Sequence, residues 1–430
     1  MMAAPAIALY LGESYASLGA FDLSQKEIFE KSVFLPQVSF KNLLTQAKKK
    51  LLEHSGEENF DEQPVRFFIV SKYMDRLKNF RLGGSVTQVV ETGFENSYSL
   101  VNTKSLSLAA SSLVISLSPE NLSPDVLQGE LARIKKINPD TNKVVIQLSE
   151  SKFTKPQQDL VRDFFKTVEF HVFVCSQPDQ LGEVRKTLLN AGTEGTKEEV
   201  VSEIKEIFGE KSEIFFWIEN NFKLEFENHQ LFGSSNSFLA SLAQSENAEA
   251  FAYFDHECFR LIQTVAQNNW KSPWGQIPTS NYASKEFQPH PFSEVRLDHM
   301  SMLSISQQQT QHEPGPVCAG RGIKPLVLDL FSEEIGQLTV MKSLFANFNS
   351  EPQKQKLENH LSVIEKGQAE NTLKTNRHEI KKQIVDAIKN EIGTFSKNKK
   401  LKIAGPLAQI FGFKNSNFDW PKEIIKKALA

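Results

Sequence analysis

Ala6-Ile7-Ala8-Leu9-Tyr10-Leu11 opens the chain with an apolar run of strand length, and Gly12 breaks it. Such a run, closed by a residue that punctuates structure, reads as a buried strand. The pattern repeats outward from there. A second strand is expected at Ser17–Phe21, and a helix over Phe40–Leu52, where Leu43, Leu44, Ala47 and Leu51 share one face. Val65–Val70 is another buried strand, Met74–Phe80 a short helix and Ser85–Val90 a strand closed by Gly93. Leu113–Leu117 and Val144–Leu148 read as strands around a helical Val126–Lys135, followed by helix Pro156–Lys166 and strand Glu169–Cys175. Strands alternating with helices make this an α/β chain.

Asn190-Ala191-Gly192 and Gly195 interrupt the alternation, so we place a domain boundary near residue 190, dividing the chain into 1–190 and 191–430. Beyond it come helix Lys197–Phe208, strand Glu213–Ile218, helix Phe238–Ala243 and strand Ala250–Phe254. Lys271–Phe292 holds Pro273, Pro278, Pro289 and Pro291 beside Trp270 and Trp274, and reads as a long loop or a crossing between lobes. Leu357–Ile392 is helical, as one helix or two, and its Ile380, Ile384, Ile388 and Ile392 form an apolar stripe suited to packing on a sheet. Lys402–Ala404 is a last strand before Gly405-Pro406.

Composition excludes some classes. At 430 residues and 40% hydrophobic, the chain can bury a substantial core, and a prior of roughly 100–200 residues per domain gives two or three domains. Lysine and arginine total 49 against 52 acidic residues, so no net field draws the protein to nucleic acid or to an anionic membrane. No apolar run approaches the roughly 20 residues that span a bilayer. No basic region precedes the weakly apolar start, so a secretory signal is not expected. Cys175, Cys258 and Cys318 are an odd, sparse set that fits a reducing cytoplasm better than a disulfide framework.

Three stretches resemble the A subunit of the hydantoinase/oxoprolinase family. Leu82-Gly83-Gly84-Ser85 through Thr92-Gly93-Phe94-Glu95 is similar to a strand–turn run in that family's N-terminal domain. His312-Glu313-Pro314-Gly315-Pro316-Val317-Cys318-Ala319-Gly320-Arg321-Gly322, followed by Lys324-Pro325-Leu326-Val327-Leu328-Asp329, resembles its signature turn Asp-Pro-Gly-Pro-Ala-Cys-Tyr-Gly-Arg-Gly-Gly and the segment after it. Lys402 to Ala408 is similar to the family's final Gly-Gly-Gly-Pro-Leu-His-Ala turn. The resemblance implies an actin-like (ribonuclease H-like) architecture with two lobes around a nucleotide cleft. It also implies ATP and Mg²⁺ as cofactors, cyclic amides such as hydantoins or 5-oxoproline as substrates, and a B-type subunit or a homo-oligomer as partner.

The sequence departs from that family at the loops that would hold phosphate. Such loops use glycine, because backbone N–H groups must approach the ligand closely, with Ser, Thr and Asp to bind phosphate and Mg²⁺. Of the first loop only Gly12 remains, with Ser14 nearby, and Glu13 brings a carboxylate to a polyphosphate position. Of the second only Asp255 fits, leading into His256, Glu257 and Cys258. A third glycine run is replaced by Leu297 to Ile305, and Gly405-Pro406 survives of the last. Losing three glycine-rich elements together argues against ordinary ATP use.

Other candidates carry two readings each. Asp255, His256 and His299 could ligate a metal across a cleft, or Asp255 and His256 could be polar residues at a strand end. Cys318 could be a nucleophile, with no assignable base, or a small buried residue in a tight turn shaped by Gly315, Pro316, Gly320 and Gly322. Arg321 could hold a carboxylate or phosphate, or serve a structural ion pair. Three functions follow: a divergent cyclic-amide hydrolase with eroded nucleotide use, a non-catalytic partner or regulatory subunit retaining the fold, or a metal-dependent hydrolase at the interlobe cleft.

Overall fold

The computed structural model describes residues 4–12, 15–34, 38–55, 64–71, 99–102, 111–117, 122–137, 143–148, 154–175, 200–218, 221–224, 235–264, 271–272, 275–276, 282–309, 316–319, 322, 324–338, 350–368, 376–397, 399–413 and 418–429. The fold is mixed α/β. The first sheet is built on β1 (Ala6–Leu11), which pairs antiparallel with β2 (Tyr15–Phe21), itself antiparallel to β3 (Glu27–Phe34). On its other side β1 takes β4 (Arg66–Ser71) in parallel. β1 is apolar throughout because both of its faces are covered. Ala6, Ala8 and Tyr10 enter one core, while Ile7, Leu9 and Leu11 enter another. The second core is roofed by helix α1 (Phe40–Ser55), whose Leu43, Leu44, Ala47 and Leu51 are fully buried, as their spacing requires.

Between β4 and the rest of its sheet the chain makes a separate four-stranded sheet. It comprises β5 (Ser99–Asn102), β6 (Ser111–Leu117), β7 (Lys143–Leu148) and β8 (His171–Cys175), with helices α2 (Pro124–Ile137) and α3 (Lys155–Thr167) as the crossovers. β6, β7 and β8 are parallel, and each crossover between them carries one of these helices. Helix α4 (residues 200–208) then leads back to the first sheet, where β9 (Glu213–Ile218) joins β4 in parallel and β10 (Asn221–Leu224) closes the edge. The first sheet therefore takes strands from both sides of the boundary placed near residue 190. The interruption at 190–195 lies outside the described residues, as do the helix at 74–80 and the strand at 85–90.

After helix α5 (Ser235–Ser245) comes the second main sheet. β11 (Ala250–Phe254) pairs antiparallel with β12 (Phe259–Thr264). Past the short pair β13 (Lys271–Ser272) and β14 (Gly275–Gln276), β15 (Tyr282–Glu286) adds antiparallel to β12. The stretch Lys271–Phe292, expected as a long loop or a crossing between lobes, thus carries strands: Pro278 and Pro289 fall outside β15, leaving its backbone free to pair. A hairpin of β16 (Ser293–Leu297) and β17 (Leu303–Gln309) follows. β18 (Leu401–Ala404) finally joins β11 in parallel. Both main sheets thus share one order: a three-strand antiparallel meander whose first strand takes a fourth strand in parallel on its free side.

Short helices α6 (Val327–Leu330) and α7 (Ser332–Ile335) and the long helices α8 (Glu351–Lys366) and α9 (Arg377–Ser396) lie between β17 and β18. α9 starts at a reciprocal cap, in which Asn376 accepts from the Glu379 amide at 3.0 Å and Glu379 accepts from the Asn376 amide at 3.0 Å. Its buried residues are Ile380, Ile384, Ile388 and Ile392, the stripe seen in the sequence, and they pack into the large core. Helix α10 (Trp420–Leu429) ends the described chain and returns to the first sheet, against β1, β2 and β4. No helix among the described residues is long and apolar enough to cross a membrane.

Candidate functional site

The β11–β12 hairpin turns through Asp255, His256, Glu257 and Cys258, and all four side chains are buried. Asp255 makes the turn. Its backbone N–H donates to the Cys258 carbonyl at 3.0 Å, and its Oδ1 accepts from the amides of Glu257 (2.8 Å) and Cys258 (2.7 Å). An aspartate that hydrogen-bonds its own downstream backbone is a turn former. These amides therefore face a carboxylate of their own chain.

Two glycine loops meet this hairpin. Gly12 ends β1, and its N–H donates to the Tyr15 carbonyl at 2.8 Å. A Cβ placed on Gly12 would lie 2.6 Å from the Tyr15 ring and 3.0 Å from Oε2 of Glu257. The space a close-approach glycine normally leaves for a ligand is filled here by an aromatic ring and a carboxylate. From the opposite side, Gly405 follows β18 at φ +115°, and a Cβ there would overlap the Phe254 backbone. The Leu407 amide, one residue past Pro406, donates to the Phe254 carbonyl at 3.1 Å. Three separate sequence features, Gly12, Asp255 and Gly405-Pro406, thus converge on one hairpin. Ser14 lies outside the described residues.

Aromatic packing closes the surroundings. Tyr15 lies 4.5 Å from the His256 ring, and Tyr10 stacks on Trp420 with centroids 3.9 Å apart. The Trp420 indole N–H donates to the Tyr253 hydroxyl at 2.7 Å. Arg260, also buried, donates to Asn236 Oδ1 at 2.6 Å and Ser235 Oγ at 3.0 Å, and its guanidinium sits 5.5 Å from the Tyr253 ring. Burial pushes the phenols of Tyr10, Tyr15 and Tyr253 well above the usual tyrosine range, so they remain neutral. Such a locus holds its charges inside a packed interior, with the Glu257 carboxylate against Gly12, where the resemblance implies polyphosphate. The residues present do not fit ATP and Mg²⁺.

The metal set expected from the sequence is not assembled. Asp255 and His256 are buried in the hairpin, whereas His299 is exposed at the tip between β16 and β17. Neighbouring Asp298 shapes that tip by accepting from the amides of Met300 (2.8 Å) and Met302 (2.9 Å), and these bonds hold its carboxyl below the usual range. Among the described residues, the one acidic or ligand-type group with donor atoms mutually within 4.8 Å is Glu27, Glu30 and Asp419.

The signature turn has a structural centre that the sequence did not single out. Val317–Ala319 forms a single 3-10 turn, and the amides of Val317 (3.1 Å), Cys318 (2.7 Å) and Leu326 (2.8 Å) all donate to the carboxylate of buried Asp329. The Gly322 amide closes back on the Pro316 carbonyl at 3.3 Å, and Lys356 of α8 donates to the Gly322 carbonyl at 2.9 Å. Burial, with the Asp329 carboxylate beside it, pushes the Cys318 thiol well above the usual range. A thiol held protonated is a poor nucleophile, which favours the reading of Cys318 as a small buried residue in the turn. Gly315, Gly320 and Arg321 lie outside the described residues. The signal that could have found Asp329 was a lone acid ending an apolar run after a turn.

No protein-family model matches the chain, and no curated protein matches it.

Proposed function

We propose that this chain is a divergent relative of the hydantoinase/oxoprolinase A subunit that retains a two-lobed, actin-like frame and acts as a non-catalytic partner or regulatory subunit. One observation carries the reading: the space over Gly12 is taken by Tyr15 and by the Glu257 carboxylate. Opening a cyclic amide with ATP needs that space for phosphate, and a buried carboxylate repels one. The frame is supported by the repeated sheet order, since two lobes of one architecture need two sheets built alike. It is supported too by the convergence of Gly12, the Asp255–Cys258 turn and Gly405, as the loops of an interlobe site would converge. The partner such a subunit would serve is a B-type subunit or a second copy.

The test has two parts. The purified chain, given hydantoin or 5-oxoproline with Mg-ATP, is expected to show no turnover, and a B-type subunit expressed with it is expected to co-purify. Turnover by the chain alone overturns the non-catalytic reading. Failure to co-purify with a B-type subunit, together with a monomeric mass in solution, overturns the partner reading.

A further inference from the structure

Helix α10 meets the first sheet through two kinds of contact. Its first residue, Trp420, is in the core, and Pro421 seats on β2 where a Cβ at Gly19 would lie 2.6 Å away. One residue on, the contact turns ionic. Lys422 Nζ lies 2.8 Å from Asp419 Oδ2, 3.0 Å from Glu27 Oε2 and 3.3 Å from Glu30 Oε2. The three carboxylates present oxygens within 4.8 Å of one another. One ammonium does not balance three carboxylates, so the interface carries surplus negative charge unless a proton is held among them.

Among the described residues Lys422 is the cation paired with these three carboxylates. On the face of the sheet that α10 covers, β2 places Gly19 opposite Glu30, and Ser17 opposite Ser32, whose hydroxyls bond at 2.9 Å. α1 covers the other face, where Lys31 is turned away and donates to Gln46 at 2.8 Å. The groups paired around Glu30 are therefore Glu27 of its own strand, Asp419 just before the helix and Lys422 on it.

We propose that this cluster is a proton-operated clasp: with one proton shared among Glu27, Glu30 and Asp419 the C-terminal helix is fastened to β3, and loss of that proton loosens it. The Glu30 carboxyl is pushed up to about 7, first by burial and then by the Asp419 charge and the Glu27 hydrogen bond. A carboxyl raised in the closed state favours closure at low pH, and that contribution is lost as pH rises through about 7. Glu30 is partly exposed, so solvent screening limits the effect to about two- to fivefold in the opening equilibrium. Because Trp420 lies on the same helix, loosening reaches the aromatic packing around Tyr10 and Tyr253. The inference stands apart from the proposed function.

Hydrogen–deuterium exchange on the full chain at pH 5 and pH 8, normalised to unprotected rates at each pH, tests it. Peptides from 418–429 are expected to lose about two- to fivefold protection at the higher pH relative to α9, while Glu30→Gln keeps the low-pH value at both. Removing the competing cation with Lys422→Met should move the midpoint to higher pH. Equal α10 protection at the two pH values in the natural chain, a Glu30→Gln chain that follows it, or an unmoved midpoint in Lys422→Met would each overturn the clasp.

Discussion

Gly405 shows how one residue holds the site together. It combines a positive φ of 115° with backbone contact against Phe254, so any side chain meets both strain and collision. Gly405→Ala is expected to cost about 2–4 kcal/mol in urea unfolding, and a loss under 0.5 kcal/mol would show that the turn can relax. Asp329 is the second such residue. Asp329→Ala leaves three buried amides without their acceptor, and a loss of about 3–5 kcal/mol is expected in the same measurement. Cys318, its thiol held protonated beside Asp329, should resist alkylation at pH 8 in the folded chain and react fully in denaturant, as read by peptide mapping. The motif around Cys318 was visible in sequence, but the role of Asp329 was not. Eleven positions separate the acid from the Cys318 amide it binds, and only the folded turn brings them together. Asp255 reads in the sequence as a metal ligand or as a polar residue at a strand end, and its Oδ1 serves its own turn.

At the scale of elements, periodicity served where burial is one-sided or complete. The strands Glu213–Ile218 and Ala250–Phe254 and the isoleucine stripe of α9 were legible because each apolar pattern maps onto one environment. Ile388→Ala in that stripe is expected to cost about 2–4 kcal/mol, against no more than about 0.5 kcal/mol for exposed Lys382→Ala one helical face away. Similar costs for the two would place α9 outside the core. β12 escaped notice because Arg260 interrupts its apolar run. That buried charge is received by Asn236 and Ser235, and both lie on a helix more than twenty residues earlier. α10 is hidden for a related reason: its lysines mask a short apolar face, and its anchor, Trp420, finds partners far away in sequence, in β1, α5 and β11.

The whole molecule was the least legible scale. Alternating strands and helices announced an α/β chain, but sheet order depends on pairings far apart in sequence. β4 and β9 are neighbours with a complete sheet inserted between them, and β18 returns across some 150 residues to β11. The duplicated order of the two main sheets, and the meeting of Gly12 and Gly405 on the hairpin turned by Asp255, emerge only from those pairings. The same convergence carries the central claim, that the position for phosphate is filled by the protein itself. Calorimetric titration of the purified chain with Mg-ATP, with ADP as control, tests that claim most directly. The account expects no saturable heat at millimolar nucleotide. Saturable binding of Mg-ATP would contradict it, because the Glu257 carboxylate and the Tyr15 ring would then have to leave Gly12.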